Sequence, residues 1–334
     1  MFVKLCTITI ILTYLLVLVG GIVRSTGAGM GCPDWPKCFG KWVPPVSEEQ
    51  LPEGYEKELA LQREKKNNKV NRVLGYFGIN LVSNEASVIE YDAIRFNTTK
   101  AWIEYLNRIL GVLVGFSILL TTFFAFRYKK ENSKVLTYSI GALLLVMLEG
   151  YLGSLVVSTN LIPGLISMHM IMALGIIFML LMAYRNAKGL EAIHQVSTLT
   201  KTLLGATIVL SIIQLVLGTQ VREAIDAISI SLGIAQRDQW IANSGNTVLI
   251  HRSFSLIIVV AQLFFYIRFR KKEGQYSILA TILLVVIGIE IASGTLMYYL
   301  AIPAMLQPVH LLLSFIMLGA QYMLLLNLKT EQQV

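Results

Sequence analysis

The chain has 334 residues, of which 55% are hydrophobic and only 14% charged, with a mean hydropathy of +0.65, a composition that excludes an ordinary soluble globular protein. A net charge of +8 would admit nucleic acid as a partner, but the basic residues sit in short clusters between apolar runs and form no continuous stripe. Nucleic acid is therefore excluded, and the clusters read as membrane-topology signals.

Crossing about 30 Å of hydrocarbon takes about 20 apolar residues in a helix, and runs of that kind predict eight transmembrane helices over 5–23, 102–126, 135–157, 165–184, 202–221, 247–267, 277–299 and 306–327. The first run is too long for a secretory signal, and Gly20 to Arg24 lacks a small-x-small cleavage pattern, so a retained helix is expected. Cys6 lies inside it, whereas Cys32 and Cys38 flank Pro33-Asp34-Trp35-Pro36-Lys37. Their spacing matches no zinc pattern, which leaves a small disulfide loop or two free thiols; an oxidising compartment would select the disulfide. Gly20 to Gly31 is glycine-rich but lacks the Gly-Lys-Ser/Thr ending of a phosphate loop. Further on, Ser47-Glu48-Glu49-Gln50 fits a capping box, and the Glu/Lys-rich stretch up to Lys69 suits a solvated, exposed helix.

The short loops orient the chain. Arg127-Tyr128-Lys129-Lys130, Arg185 with Lys188, and Arg268 to Lys272 fall on one side, while Ser158–Gly164 and Leu300–Leu306 carry no Lys or Arg. By the positive-inside rule both termini are cytoplasmic, and the segments 24–100 and 222–246 lie outside a cell membrane that the chain crosses many times.

An internal repeat divides the chain into residues 1–190 and 191–334. Gly20-x-x-Val23-Arg24 recurs as Gly218-x-x-Val221-Arg222, and Asn107-Arg108 matches His251-Arg252. Glu149 precedes His169 by 20 residues, as Glu290 precedes His310, with Gly153 and Gly294 in step. The expected fold is all-α: two four-helix bundles related as a parallel repeat.

Of four histidines, His194 lies in a cytoplasmic loop, whereas His169, His251 and His310 stand four or five residues inside the outer helix ends, with Asn107 at the same level. That depth is about 6 to 8 Å. One intramembrane histidine is more often a packing residue than a ligand. Two at one depth on separate helices of one repeat unit favour a pair of ligands, because an imidazole in hydrocarbon is costly unless paired or functional. Two imidazoles facing across a four-helix bundle are what six-coordinate heme iron requires. Arg24, Arg108, Arg222 and Arg252 lie near the same surface and suit heme propionates, although each would also be explained by snorkelling to the interface. Glu104 stands one turn before Asn107 and would move protons beside a heme edge, or simply be hydrated. Glu149 and Glu290, mid-helix in apolar runs, read first as structural links between helices.

Together these residues resemble the heme A synthase family. Gly21-Ile22-Val23-Arg24-Ser25-Thr26-Gly27-Ala28-Gly29 with Pro33-Asp34-Trp35-Pro36, then Glu104-x-x-Asn107-Arg108, His169, His251-Arg252-Ser253-Phe254-Ser255 and His310 follow its pattern in order over nearly the whole chain. The resemblance implies an enzyme that oxidises a methyl substituent of heme O to the formyl group of heme A, the cofactor of terminal cytochrome oxidases. It implies heme b on His251 and His310 in the second half, a substrate heme in the first, and an outer cysteine pair mirrored by Cys32 and Cys38. Its implied partners are membrane lipid, heme O, the enzyme supplying it and an unnamed electron donor; a homo-oligomer stays open. The chain departs from the family's Glu-x-x-His-Arg at Asn107. An amide is a poor iron ligand, so a substrate heme on His169 would keep an open face for dioxygen with Glu104 nearby; alternatively, the first half has lost its heme. Two other classes compete: a b-type electron carrier needs the His251–His310 pair but not Glu104, and a parallel-repeat transporter needs a central cavity and no heme.

Overall fold

The computed structural model describes residues 1–55, 57–58, 61, 65, 68, 72, 96–158, 164–192, 194–271 and 275–331. Among them, eight helices are long and apolar enough to cross a membrane. They are α1 (Phe2–Ser25), α2 (Thr98–Ala125), α3 (Ser133–Ser158), α4 (Leu165–Ala187), α5 (Thr198–Leu232), α6 (Asn246–Phe269), α7 (Gln275–Tyr299) and α8 (Leu306–Asn327). The chain is an all-α integral membrane protein. In hydrocarbon every backbone polar group needs an internal partner, which a helix supplies from its own turns. Helix starts are capped where the sequence provides an oxygen: the Asn97 side chain accepts from the Lys100 N–H, and Ser197 Oγ from the Thr200 N–H.

Neighbouring helices pack in order, α1 on α2, α2 on α3, α3 on α4, with α4 closing back on α1. Helices α5 to α8 close a second ring in the same way, and α8 joins the rings by packing on α1 and α4. At this seam Leu174 and Ile177 of α4, Leu215 of α5, and Phe315 and Leu318 of α8 form one buried cluster. The α1–α8 approach is close enough that a Cβ on Gly21 would lie 2.9 Å from Pro308 Cα, so only glycine fits there. Hydroxyls link the first ring: Thr9 Oγ1 lies 2.7 Å from Ser117 Oγ and 3.0 Å from Thr121 Oγ1, and Thr122 Oγ1 donates to the Ser139 carbonyl at 3.0 Å. In the second ring Gln321 Nε2 donates to Ser211 Oγ at 3.0 Å.

At the end opposite the long loop, β1 (His194–Val196) pairs in parallel with β2 (Leu328–Thr330), tying the linker between the rings to the segment after α8. The Tyr276 hydroxyl braces this joint, donating to the Asn327 carbonyl at 2.9 Å and accepting from the His194 N–H at 3.1 Å.

Three expectations change. Helix α5 runs to Leu232 rather than ending near 221, because Arg222 and Asp226 pair one turn apart at 2.6 Å and Ile225 is buried. The capping box at Ser47 does not form: Glu48–Gln50 is a single 3-10 turn without a Ser47 side-chain cap, and Gln50 Oε1 accepts from the Val46 N–H instead. The solvated helix expected up to Lys69 falls largely outside the described residues, as does most of the loop between Ser158 and Gly164.

Candidate functional site

Each residue of the expected ligand layer faces a glycine on the preceding helix. A Cβ on Gly218 (α5) would lie 3.2 Å from His251 Cε1, on Gly294 (α7) 3.5 Å from His310 Cε1, on Gly153 (α3) 3.6 Å from His169 Cε1, and on Gly20 (α1) 4.0 Å from Asn107 Oδ1. The glycines that recur with the repeat thus make room for the side chains that recur with it.

In the second ring His251 and His310 are brought together, their ring centres 6.4 Å apart and their planes at 67°. Both rings are oriented by neighbours. His310 Nδ1 lies 2.7 Å from Glu290 Oε2 and 2.8 Å from Ser293 Oγ, leaving its other nitrogen for a metal. Gln214 Nε2 lies 3.4 Å from His251 Nε2 and donates to the His251 carbonyl at 3.0 Å, while His251 Nδ1 is buried with no hydrogen-bond partner among the described residues. A metal atom held between two imidazoles sets their centres about 6 Å apart, since each metal–nitrogen bond is about 2 Å. This pair fits heme iron. Among the described residues no group of three or more His, Cys, Asp or Glu side chains gathers as a metal-ion site.

The first ring is sparser. His169 Nδ1 lies 3.2 Å from Glu149 Oε1, and Asn107 Oδ1 is buried without a partner among the described residues. At the positions matching Gln214 and Ser293 it carries Leu16 and Leu152. Sequence reading missed Gln214, Ser293 and Asp226, though each lies three or four residues from a repeat landmark and so on the same helix face.

The arginines divide. Arg24 and Arg222, equivalent in the repeat, both grip Asp226, at 3.0 and 2.6 Å, and so join the two rings. Arg24 Nε and Nη1 and Arg222 Nε remain buried without partners among the described residues, donors that fit carboxylates such as propionates. Arg108, expected at a propionate, is committed elsewhere. Its Nη1 donates to the carbonyls of Asp34 at 2.9 Å and Lys37 at 2.8 Å, and its Nη2 to the Cys32 carbonyl at 3.0 Å and to Glu104 Oε1 at 2.6 Å. Glu104, expected beside an open coordination face, is buried with its second oxygen accepting from the Cys32 N–H at 2.8 Å. A loop 71 to 76 residues away in sequence captures this pair because its turning backbone leaves carbonyls and an N–H that need partners. Cys32 and Cys38 are joined by a disulfide, and both are buried. Arg252 lies over the Tyr298 ring, 5.4 Å from its centre, beside a cavity of 110 Å³ that Ser244, Val248 and Leu249 also line.

Two rings of membrane-crossing helices, with imidazoles and arginines near the loop-bearing end, define a helical-bundle membrane protein with one polar layer per ring. The family model described as cytochrome oxidase assembly protein, COX15-CtaA, matches residues 3–72 and 82–322. The chain belongs to this family. It is similar to a protein named heme A synthase from Flavobacterium psychrophilum, 23% identical over 92% of both chains. Another of that name, from Ehrlichia ruminantium strain Gardel, is 25% identical over 98% of this chain and 92% of its own. A third, from Orientia tsutsugamushi strain Ikeda, is 29% identical over 155 residues, 46% of this chain and only 37% of the relative's length.

Proposed function

We propose that the protein is a heme A synthase, an oxidoreductase that converts a methyl substituent of heme O to the formyl group of heme A in a cell membrane, with dioxygen as oxidant. The observation that carries this reading is the asymmetry of the polar layer: two facing imidazoles, 6.4 Å apart, in one ring, and in the other one imidazole with an amide at the second position. His251 and His310 would hold a heme b, which would supply one-electron transfer. Glu290, Ser293 and Gln214 hold those rings in orientation. In the first ring His169 is the ligand for the substrate heme, and Asn107 leaves the opposite face without a protein ligand. Free donors of Arg24 and Arg222 receive propionates, with Arg252 near the same surface. Glu104 and Arg108 fasten the disulfide loop over the first ring; with its oxygens so engaged, Glu104 serves proton movement only when that latch opens. The names of the relatives support the same reading.

The loop-bearing end faces outward and both termini lie in the cytoplasm, a reading supported by the disulfide at that end, since disulfides persist in oxidising compartments. The substrate comes from an enzyme that makes heme O, and the electrons from a separate donor.

Heme extraction after co-expression with a heme O source tests the proposal. Wild-type membranes should contain heme A; His169→Ala should contain none while keeping the low-spin heme b spectrum, and His251→Ala or His310→Ala should lose that spectrum. Full heme A production by His169→Ala would refute the assignment. Asn107 favours one other reading, a b-type electron carrier, which would show heme b and no heme A under any of these conditions.

A further inference from the structure

The disulfide loop carries an apolar surface that is exposed among the described residues. Trp35 is 48% exposed, Trp42 68%, Val43 53% and Val46 56%. Exposed apolar side chains on a loop held by a disulfide need a partner, and their depth says which.

The loop runs down one face of α2. Cys32 packs against the Ala101 carbonyl, its N–H reaches Glu104, and the carbonyls of Cys32, Asp34 and Lys37 are held by Arg108. Ala101, Glu104 and Arg108 stand on successive turns, so the contact continues to the level of Arg108. From Ile109 to Phe126, through α2 and into the 3-10 turn that follows it, 18 residues carry no charge. That length is about 27 Å, close to the thickness of the hydrocarbon. Arg108, and with it the level of Asn107, therefore lies near the edge of the hydrocarbon rather than well inside it as the span 102–126 predicts, and the backbone on either side of Trp35 is pinned there.

The chemistry of the patch matches that depth. Tryptophan prefers the headgroup level, where its ring is apolar and its N–H stays hydrated. Lys37 Nζ lies 5.9 Å from the centre of the Trp42 ring, and Lys41 is also exposed. Residues 35–46 contain no acidic side chain, and both oxygens of neighbouring Asp34 are occupied by the N–H groups of Phe39, at 2.6 Å, and Gly40, at 2.9 Å. The patch is thus apolar and cationic.

We propose that this loop is a membrane anchor: Trp35, Trp42, Val43 and Val46 seat in the headgroup zone of the leaflet on the loop-bearing side, with Lys37 and Lys41 against anionic lipid phosphates. The loop clamps α2 at one surface and lipid at the other. This inference does not depend on the reaction proposed above.

Tryptophan fluorescence tests it. In full-length protein carrying Trp102→Phe and Trp240→Phe, the remaining tryptophans, of four in the chain, are Trp35 and Trp42. Reconstituted into vesicles of phosphatidylcholine and phosphatidylglycerol, they should emit at blue-shifted wavelengths. They should lose most of their intensity to lipids brominated near the headgroup end of the acyl chain, and less to lipids brominated near the chain terminus. Adding Lys37→Glu and Lys41→Glu should weaken the quenching on vesicles containing phosphatidylglycerol; unchanged quenching there would overturn the headgroup pairing. Red-shifted emission that aqueous iodide quenches and bromolipid does not would overturn the anchor. So would shielding from iodide seen in native membranes but absent from vesicles, which would assign the patch to a protein partner. A Trp42→Phe addition, leaving Trp35 alone, repeats the measurement in a second protein, with an intact disulfide by mass spectrometry as the check on folding.

Discussion

At residue scale, the glycines opposite the histidines differ in how much room they leave. Beside Gly218 an added Cβ would lie 3.2 Å from His251 Cε1, tighter than ordinary packing, whereas beside Gly294 the same atom would sit at 3.5 Å from His310, an ordinary contact. Overpacking costs about 1–3 kcal/mol, while alanine gains about 1 kcal/mol of helix propensity over glycine. The two substitutions should therefore have opposite signs. Gly218→Ala is expected to lower thermal stability and to displace the His251 ring, shifting the low-spin spectrum of a heme bound there. Gly294→Ala should leave the spectrum unchanged and raise stability by up to about 1 kcal/mol. Thermal unfolding and absorption spectra of both variants in detergent check this, and equal behaviour would count against the glycine–imidazole fit.

At the scale of elements, the loop and α2 form one unit. A Cβ on Gly31 would lie 2.4 Å from both the carbonyl carbon and oxygen of Lys100, backbone atoms that cannot move aside. Gly31→Ala should therefore lift the loop from α2, at a cost of at least about 1–3 kcal/mol. Cys32 and Cys38 are buried beneath Phe39, Phe96 and Tyr55, so lifting the loop should expose the disulfide. The expected result is much faster alkylation of the pair after mild reductant, read by mass spectrometry; wild-type kinetics would show that the loop is held some other way. Arg108→Ala should have the same effect by removing the partners of three carbonyls and leaving the buried Glu104 without its cation, a loss of about 3–5 kcal/mol.

For the whole molecule, the question is what joins two similar rings. Besides the apolar seam, Asp226 is gripped by Arg24 of the first ring and Arg222 of the second. The arginine side chains are 21% and 23% exposed and Asp226 35%, so the joint is worth less than a fully buried ion pair. Asp226→Ala is expected to cost about 1–3 kcal/mol, because it leaves two facing cations. In combination with Arg24→Gln the loss should be less than additive. Thermal unfolding of the single and double variants provides the measurement, and additive losses would show that Asp226 does not couple the rings. Its repeat-related position in the first half is Ala28, so one carboxylate serves both arginines.

The amino-acid sequence by itself determined the membrane class and the eight crossings, and its recurring intervals put His169, His251 and His310 at matching positions. All of these depend on runs and spacings along one chain: hydrocarbon thickness sets helix length, and a repeat preserves intervals. The tertiary structure alone decided where the charges go. Arg108 and Arg24 look alike in sequence, each beside a repeat landmark at a helix end, yet one holds a loop and the other joins the rings. A guanidinium takes whichever unpaired oxygens folding brings within reach, and the carbonyls of Asp34 and Lys37 and the carboxylate of Asp226 reach it only across long separations in the chain.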